Sequence, residues 1–193
     1  MDFYFDKKKM AQSAHYLLSL HKGEGMDPRS LNNLLYLANR EELIKNGYML
    51  AGGKLCSYWY GPGIREVTEV IDGDSNDEEF KKIWEEYVEL KEGVLYPVKK
   101  TEEFEYLYGN LSEYDHKVID SIDVKYGKMG VFMLREEMSE LDEWEEPSMM
   151  VSSPITPEEI LLKAGWSEKN IGEVAEDAKG SLVFHEMLEP HEL

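Results

Sequence analysis

Five histidines, one cysteine and 40 carboxylates are the side chains from which this 193-residue chain could build catalysis or a metal site. His15 and His21 stand six residues apart, so on one helix they point to different sides and cannot chelate a metal as an i, i+4 pair would. His116, His185 and His191 are scattered, and all five read as surface or cap histidines. Cys56 with a distant histidine could in principle form a thiol nucleophile. A lone cysteine inside an aromatic strand reads instead as a small core residue, and it excludes an internal disulfide or a Cys-rich zinc site. With so many acids, no carboxylate pair carries information for general acid–base work. Gly52-Gly53 and Gly61-Pro62-Gly63 lack the strand–glycine–helix frame and the lysine of a phosphate loop. The expectation is a protein that is not an enzyme and holds neither cofactor nor metal.

Two groups of residues suit binding better than bond-making. In Ser57-Tyr-Trp-Tyr-Gly-Pro-Gly63, strand geometry puts Tyr58 and Tyr60 on one face and Trp59 on the other. Three large aromatics cannot all be core in a small hairpin, so at least one face meets another helix or a partner, where rigid aromatics serve as anchors. Between Glu136 and Glu146 stand seven acids around Trp144. That run is either a solvated face or a docking strip for a basic partner, with Trp144 as its anchor.

The elements that must position these residues are mainly helical. Asp6 starts an apolar 3–4 periodicity through Met10, Ala14, Leu17 and Leu18 that ends near Lys22-Gly23. Asp27-Pro28 offers a cap and a first-turn proline for a second helix through Leu31, Leu34, Leu35 and Leu43, which Asn46-Gly47 stops. Tyr48–Ala51 and Leu55–Tyr60 read as two strands joined at Gly52-Gly53, with Pro62 opening the next helix. Asp77, Ser112 and Thr156 are further caps, Ser167 opens the last helix, and Val94–Val98 is at most an edge segment because Pro97 cannot donate. The fold expected is a mainly α single helical domain with seven or eight helices and one small antiparallel β-hairpin after the second helix. The domain spans 1–150, followed by a C-terminal helical extension and tail over 151–193.

Charge narrows the function classes. The formal net charge is −19. Residues 1–66 carry 9 basic and 7 acidic side chains, and residues 67–193 carry 12 and 33. Such a chain is repelled by phosphate backbones and anionic lipid, so direct nucleic-acid and membrane-surface binding are not expected. At 42% hydrophobic and 11% aromatic it still buries a core. No apolar run reaches the roughly 18–20 residues of a membrane helix, and the N-terminal charge order is opposite to a secretory signal. A soluble, cytoplasmic protein is the expectation.

The order Tyr16-Leu-Leu, Leu34-Leu-Tyr-Leu-Ala-Asn-Arg40, Gly47, Tyr58-Trp-Tyr-Gly-Pro62 resembles the Panacea domain, the family of SocA-like antitoxins and phage-associated proteins. The resemblance is clearest over residues 5–72 and continues through Leu111-Ser112 and Tyr126-Gly127. Where many members carry a Thr-His pair in the later helix, this chain has Leu134-Arg-Glu-Glu-Met138, although Trp144 remains; no role of that histidine transfers. The resemblance implies a non-catalytic antitoxin that neutralises a partner toxin by direct contact, some relatives acting as adaptors that hand the toxin to a protease. Its protein partner, a toxin or host factor, would be met by Arg40, Tyr58, Trp59, Tyr60 and Arg65, with Trp144 as a further anchor. The alternative is a phage-encoded acidic decoy that imitates nucleic acid and occupies a basic host protein.

Overall fold

Each helix cap named above closes a real helix. A computed structural model describes residues 1–99, 104–148 and 152–188. Asp6 accepts from Lys9 N to cap α1 (Lys7–Leu20), and Asp27 accepts from Arg29 N and Ser30 N to cap α2 (Pro28–Asn46), which ends at a left-handed Gly47. After them come strands β1 (Leu55–Tyr58) and β2 (Gly61–Ile64), then α3 (Arg65–Asp72). Asp77 caps α4 (Glu78–Tyr87), which runs into β3 (Val88–Lys91) and β4 (Val94–Pro97). One turn of helix, α5 (Phe104–Leu107), precedes α6 (Glu113–Tyr126), opened by a capping box between Ser112 and Asp115. The chain then forms α7 (Val131–Ser139), β5 (Ser153–Pro154), α8 (Pro157–Lys163) and α9 (Glu168–Leu188). Among the described residues, eight helices of seven residues or more thus stand beside two small antiparallel sheets, a mainly α fold.

The core is built around α2, which packs on α1, α6, α7, α8 and β2 and buries Leu31, Leu34, Leu35, Tyr36, Leu37, Ala38 and Leu43. From the other side come Leu17 and Leu18 of α1, Phe80 and Trp84 of α4, Ile119 of α6 and Leu134 of α7. Ile155, Ile160 and Leu161 join the same cluster, so the segment after residue 152 helps to close it.

The hairpin follows the second helix, as expected, but its strands lie further along the chain. Leu55 pairs with Ile64 and Tyr58 with Gly61, so Trp59 and Tyr60 form the turn and Gly61-Pro62-Gly63 is strand rather than stop. Pro62 is tolerated because β2 is the edge of a sheet ordered β2-β1-β5. Gly52 is not a hairpin turn. It lets the N-terminal segment cross, since a Cβ there would run into the carbonyl oxygen of Tyr4.

A second hairpin, β3–β4, was not expected from the sequence. Glu92 and Gly93 turn it with φ +51° and +81°, both left-handed as a tight two-residue turn requires, but with glutamate where Asn or Asp gives the usual signature. A reciprocal pair of backbone bonds between Met26 and Leu95 ties this hairpin to the loop before α2. No described helix is long and apolar enough to cross a membrane.

Candidate partner-binding site

Three asparagines in α2 hold the aromatic hairpin in place. Asparagine is a poor residue for a helix interior, because its amide competes for backbone groups; here the amides serve the neighbouring chain. Asn32 Oδ1 accepts from Ile64 N at 2.9 Å, while its Nδ2 donates to Thr68 Oγ1 at 2.8 Å and Ile64 O at 3.2 Å. Asn33 Nδ2 donates to Pro62 O at 2.6 Å. Asn39 donates to Gly52 O at 2.7 Å and accepts from Ala51 N at 2.9 Å, fixing the preceding loop. The outer edge of β2 is therefore paired with side chains of a helix instead of another strand. The sequence reading missed this clamp; the signal that could have found it is three asparagines inside an otherwise apolar helical run, residues 31–39.

Held this way, the turn gathers its three aromatics into one contiguous group around Tyr60. Tyr58 and Tyr60 stack with centroids 5.1 Å apart and planes 4° from parallel, on the shared side expected for them. Tyr60 is buried, with its hydroxyl 3.3 Å from Thr68 Oγ1. Burial pushes the Tyr60 phenol up despite opposing hydrogen bonds from Thr68 and Asn32, and pushes Tyr58 up further, so both hydroxyls remain protonated donors at neutral pH. Trp59 meets the Tyr60 ring edge to face, with centroids 5.6 Å apart, and is 38% exposed, with the Arg29 guanidinium 4.5 Å over its ring. Arg65, at the start of α3, stands on the Tyr58 side and reaches Cys56 Sγ at 3.5 Å.

Trp59, Arg29 and Tyr60 line one wall of a cleft of about 380 Å³, closed by Ile71 and Asp72 of α3 and by Leu90 of β3. Half-exposed Leu90 and the indole offer apolar contact, while Arg29 offers a cation and Asp27 and Asp72 two carboxylates. Such a surface can seat a side chain of a partner and fix its orientation. Arg29 and Leu90 were missed in the sequence, because nothing local says that a residue 30 positions before Trp59 lies on its ring.

Arg40 and Trp144 sit elsewhere. Arg40 Nε donates to Glu143 Oε1 at 2.5 Å, its Nη2 to Oε2 at 3.1 Å, and Tyr36 Oη donates to the same carboxylate at 2.7 Å. Burial works against the charged form of Glu143, but the hydrogen bonds and charge of Arg40 and the Tyr36 bond outweigh it and hold the carboxyl below its ordinary value. Trp144 Nε1 donates to Tyr58 O at 3.2 Å, and Glu145 N to Ser57 Oγ at 3.3 Å. Arg40, Glu143 and Trp144 thus fasten the chain after α7 across α2 and the hairpin. The acidic run is split: Glu143 is core, whereas Glu136, Glu137, Glu140 and Asp142 face solvent.

The expectation of surface or cap histidines fails for His15. It is buried, with Nε2 2.9 Å from Val98 O and Nδ1 2.7 Å from Tyr108 Oη. A carbonyl can only accept, so in the neutral ring Nε2 carries the proton and Nδ1 accepts from the phenol. His21 does close α1 and lies 2.8 Å from Asp123 Oδ1; His116 packs against Tyr16, and His185 stacks on Tyr4. His191 lies outside the described residues. Cys56 is fully buried in the central strand. Among the described residues no three His, Cys, Asp or Glu side chains are placed to hold a metal ion.

The chain matches none of the curated proteins and none of the solved structures. Residues 31–145 match the family described as antitoxin SocA-like, Panacea domain. That match takes in α2 from Leu31 on, the hairpin with its asparagine clamp, the Trp59–Tyr60 wall of the cleft though not Arg29, and the Glu143–Trp144 fastening, more than half of the chain. The protein belongs to the SocA-like antitoxin, Panacea domain family.

Proposed function

We propose that the protein is an antitoxin that neutralises a partner toxin by direct, non-catalytic contact in the cytoplasm, and that the hairpin-tip cleft makes the contact. Family membership supports the antitoxin role. The observation that carries the contact surface is Trp59, a rigid indole left at the surface by a turn whose other residues are clamped, with Arg29 lying on it. Large aromatics and arginine dominate the energetics of protein interfaces. Tyr58 and Arg65 flank the tip on its other side, while Arg40 and Trp144 act through the framework that holds it.

The test is capture of proteins from host lysate on the immobilised chain at about 0.05 and 0.5 M salt. A single stoichiometric protein kept at both concentrations, toxic when expressed alone and harmless beside this chain, is the expected outcome. Retention only at low salt, of several basic nucleic-acid-binding proteins, would replace the antitoxin reading with that of an acidic decoy.

A further inference from the structure

Helix α7 carries apolar residues that the fold does not use. Its core face is set by helical periodicity and consists of Leu134 and Met138, both fully buried. Phe132 and Met133 interrupt that period and stand 84% and 60% exposed on the opposite side. Four consecutive apolar residues, Val131–Leu134, are more than an amphipathic surface helix needs, and the surplus pair lies in water. Glu136, Glu137 and Glu140 follow at helical spacing on the same outward face, all exposed and with no ion pair among the described residues. Phe132 and Met133 belong to residue types enriched at interfaces, and the carboxylates give the face one sign of charge in a half of the chain already at net −21.

We infer that the outward face of α7 is a second docking surface, for a basic segment of a protein partner that is apolar along one side and carries Lys or Arg beside it. The apolar side of the segment covers Phe132 and Met133, and its cations meet Glu136, Glu137 and Glu140. Trp144, the anchor that the sequence offered for this strip, is tied to Tyr58 O instead. The surface is separate from the hairpin-tip cleft, so it goes beyond the contact proposed above.

The probe is a synthetic amphipathic Leu/Lys helical peptide titrated into the full, ¹⁵N-labelled chain, with an all-Lys peptide of equal charge as control. The amide shifts are expected to concentrate between residues 131 and 142, and the Leu/Lys peptide to bind at least tenfold more tightly than the all-Lys peptide. Phe132→Ser with Met133→Ser, and separately Glu136→Gln with Glu137→Gln and Glu140→Gln, should each weaken it about tenfold. All five positions are exposed, so the amide spectra of the unbound variants should keep the wild-type pattern away from α7. Shifts spread over the whole acidic surface, equal binding of the two peptides, or either variant binding like wild type would overturn the proposal. No toxin enters this experiment, so its outcome is independent of the neutralisation reading.

Discussion

Replacing Asn32 by alanine tests whether a helix side chain really serves as the missing neighbour of strand β2. The Ile64 amide, on a fully buried residue, has Asn32 Oδ1 as its partner, whereas the Ile64 carbonyl keeps Thr68 Oγ1 at 3.2 Å when Asn32 is gone. One buried N–H is thus orphaned, which costs about 1–3 kcal/mol; the lost bond to Thr68 and the vacated volume bring the total to about 2–4 kcal/mol. Gly63 supplies the sharper half of the test. A Cβ at Gly63 would meet Asn32 Nδ2 at 2.6 Å, Cγ at 3.0 Å and Oδ1 at 3.3 Å, and the backbone there is not left-handed. The obstacle to Gly63→Ala is therefore Asn32 itself. In the wild-type background Gly63→Ala should cost about 1–3 kcal/mol as the amide is displaced. In the Asn32→Ala background it should cost less than about 0.5 kcal/mol, giving a coupling of more than about 0.5 and up to about 3 kcal/mol between the two sites. Urea unfolding of the four proteins followed by circular dichroism, with unchanged m values, measures the cycle. Additivity within about 0.5 kcal/mol would refute the clamp.

Removing Arg40 should hurt more than removing its partner, because the Glu143 side chain is 0% exposed and Arg40, at 24%, can still reach water. Arg40→Met is expected to cost about 3–5 kcal/mol at pH 7 and Glu143→Gln less, both by urea unfolding. The Glu143 carboxyl is held below its ordinary 4.5, so its contribution is present above that pH and lost as pH falls through the lower folded value. The gap between wild type and Arg40→Met should therefore shrink on acidification below about pH 4.5. Ser112→Ala removes the capping box of α6 and should lower stability by about 1 kcal/mol, seen as a shifted urea midpoint. Trp59→Ala should leave stability within about 1 kcal/mol, since the indole is partly exposed and makes no framework hydrogen bond among the described residues.

What the sequence disclosed was local. Asp6, Asp27, Asp77, Ser112 and Thr156 cap helices through bonds to amides two or three residues on, so a short window of sequence contains the whole interaction. The hairpin was displaced because Gly52 has another purpose, the close approach of Tyr4, and because Pro62 sits on an edge completed by Asn32 and Asn33. Those partners lie about thirty positions away. The β3–β4 turn uses Glu92 in a left-handed conformation, which residue type does not announce. At the site, the aromatic triplet and the pairing of Tyr58 with Tyr60 were legible, whereas the opposite face expected for Trp59 was not found, because Trp59 and Tyr60 form the turn and their rings meet. Arg29 on Trp59, Glu143 beneath Arg40 and the Trp144 bond to Tyr58 O join residues 30 to more than 100 positions apart, and only the fold brings them together.

The central claim is that the hairpin-tip cleft is where a toxin is met. The most direct measurement is growth of cells expressing the captured toxic protein together with wild-type chain or with a folded Trp59→Ala, Arg29→Ala double variant. The account predicts growth with the wild-type chain, arrest with the variant, and loss of the stable complex on size-exclusion chromatography. Full rescue by the variant, with the complex intact, would contradict it.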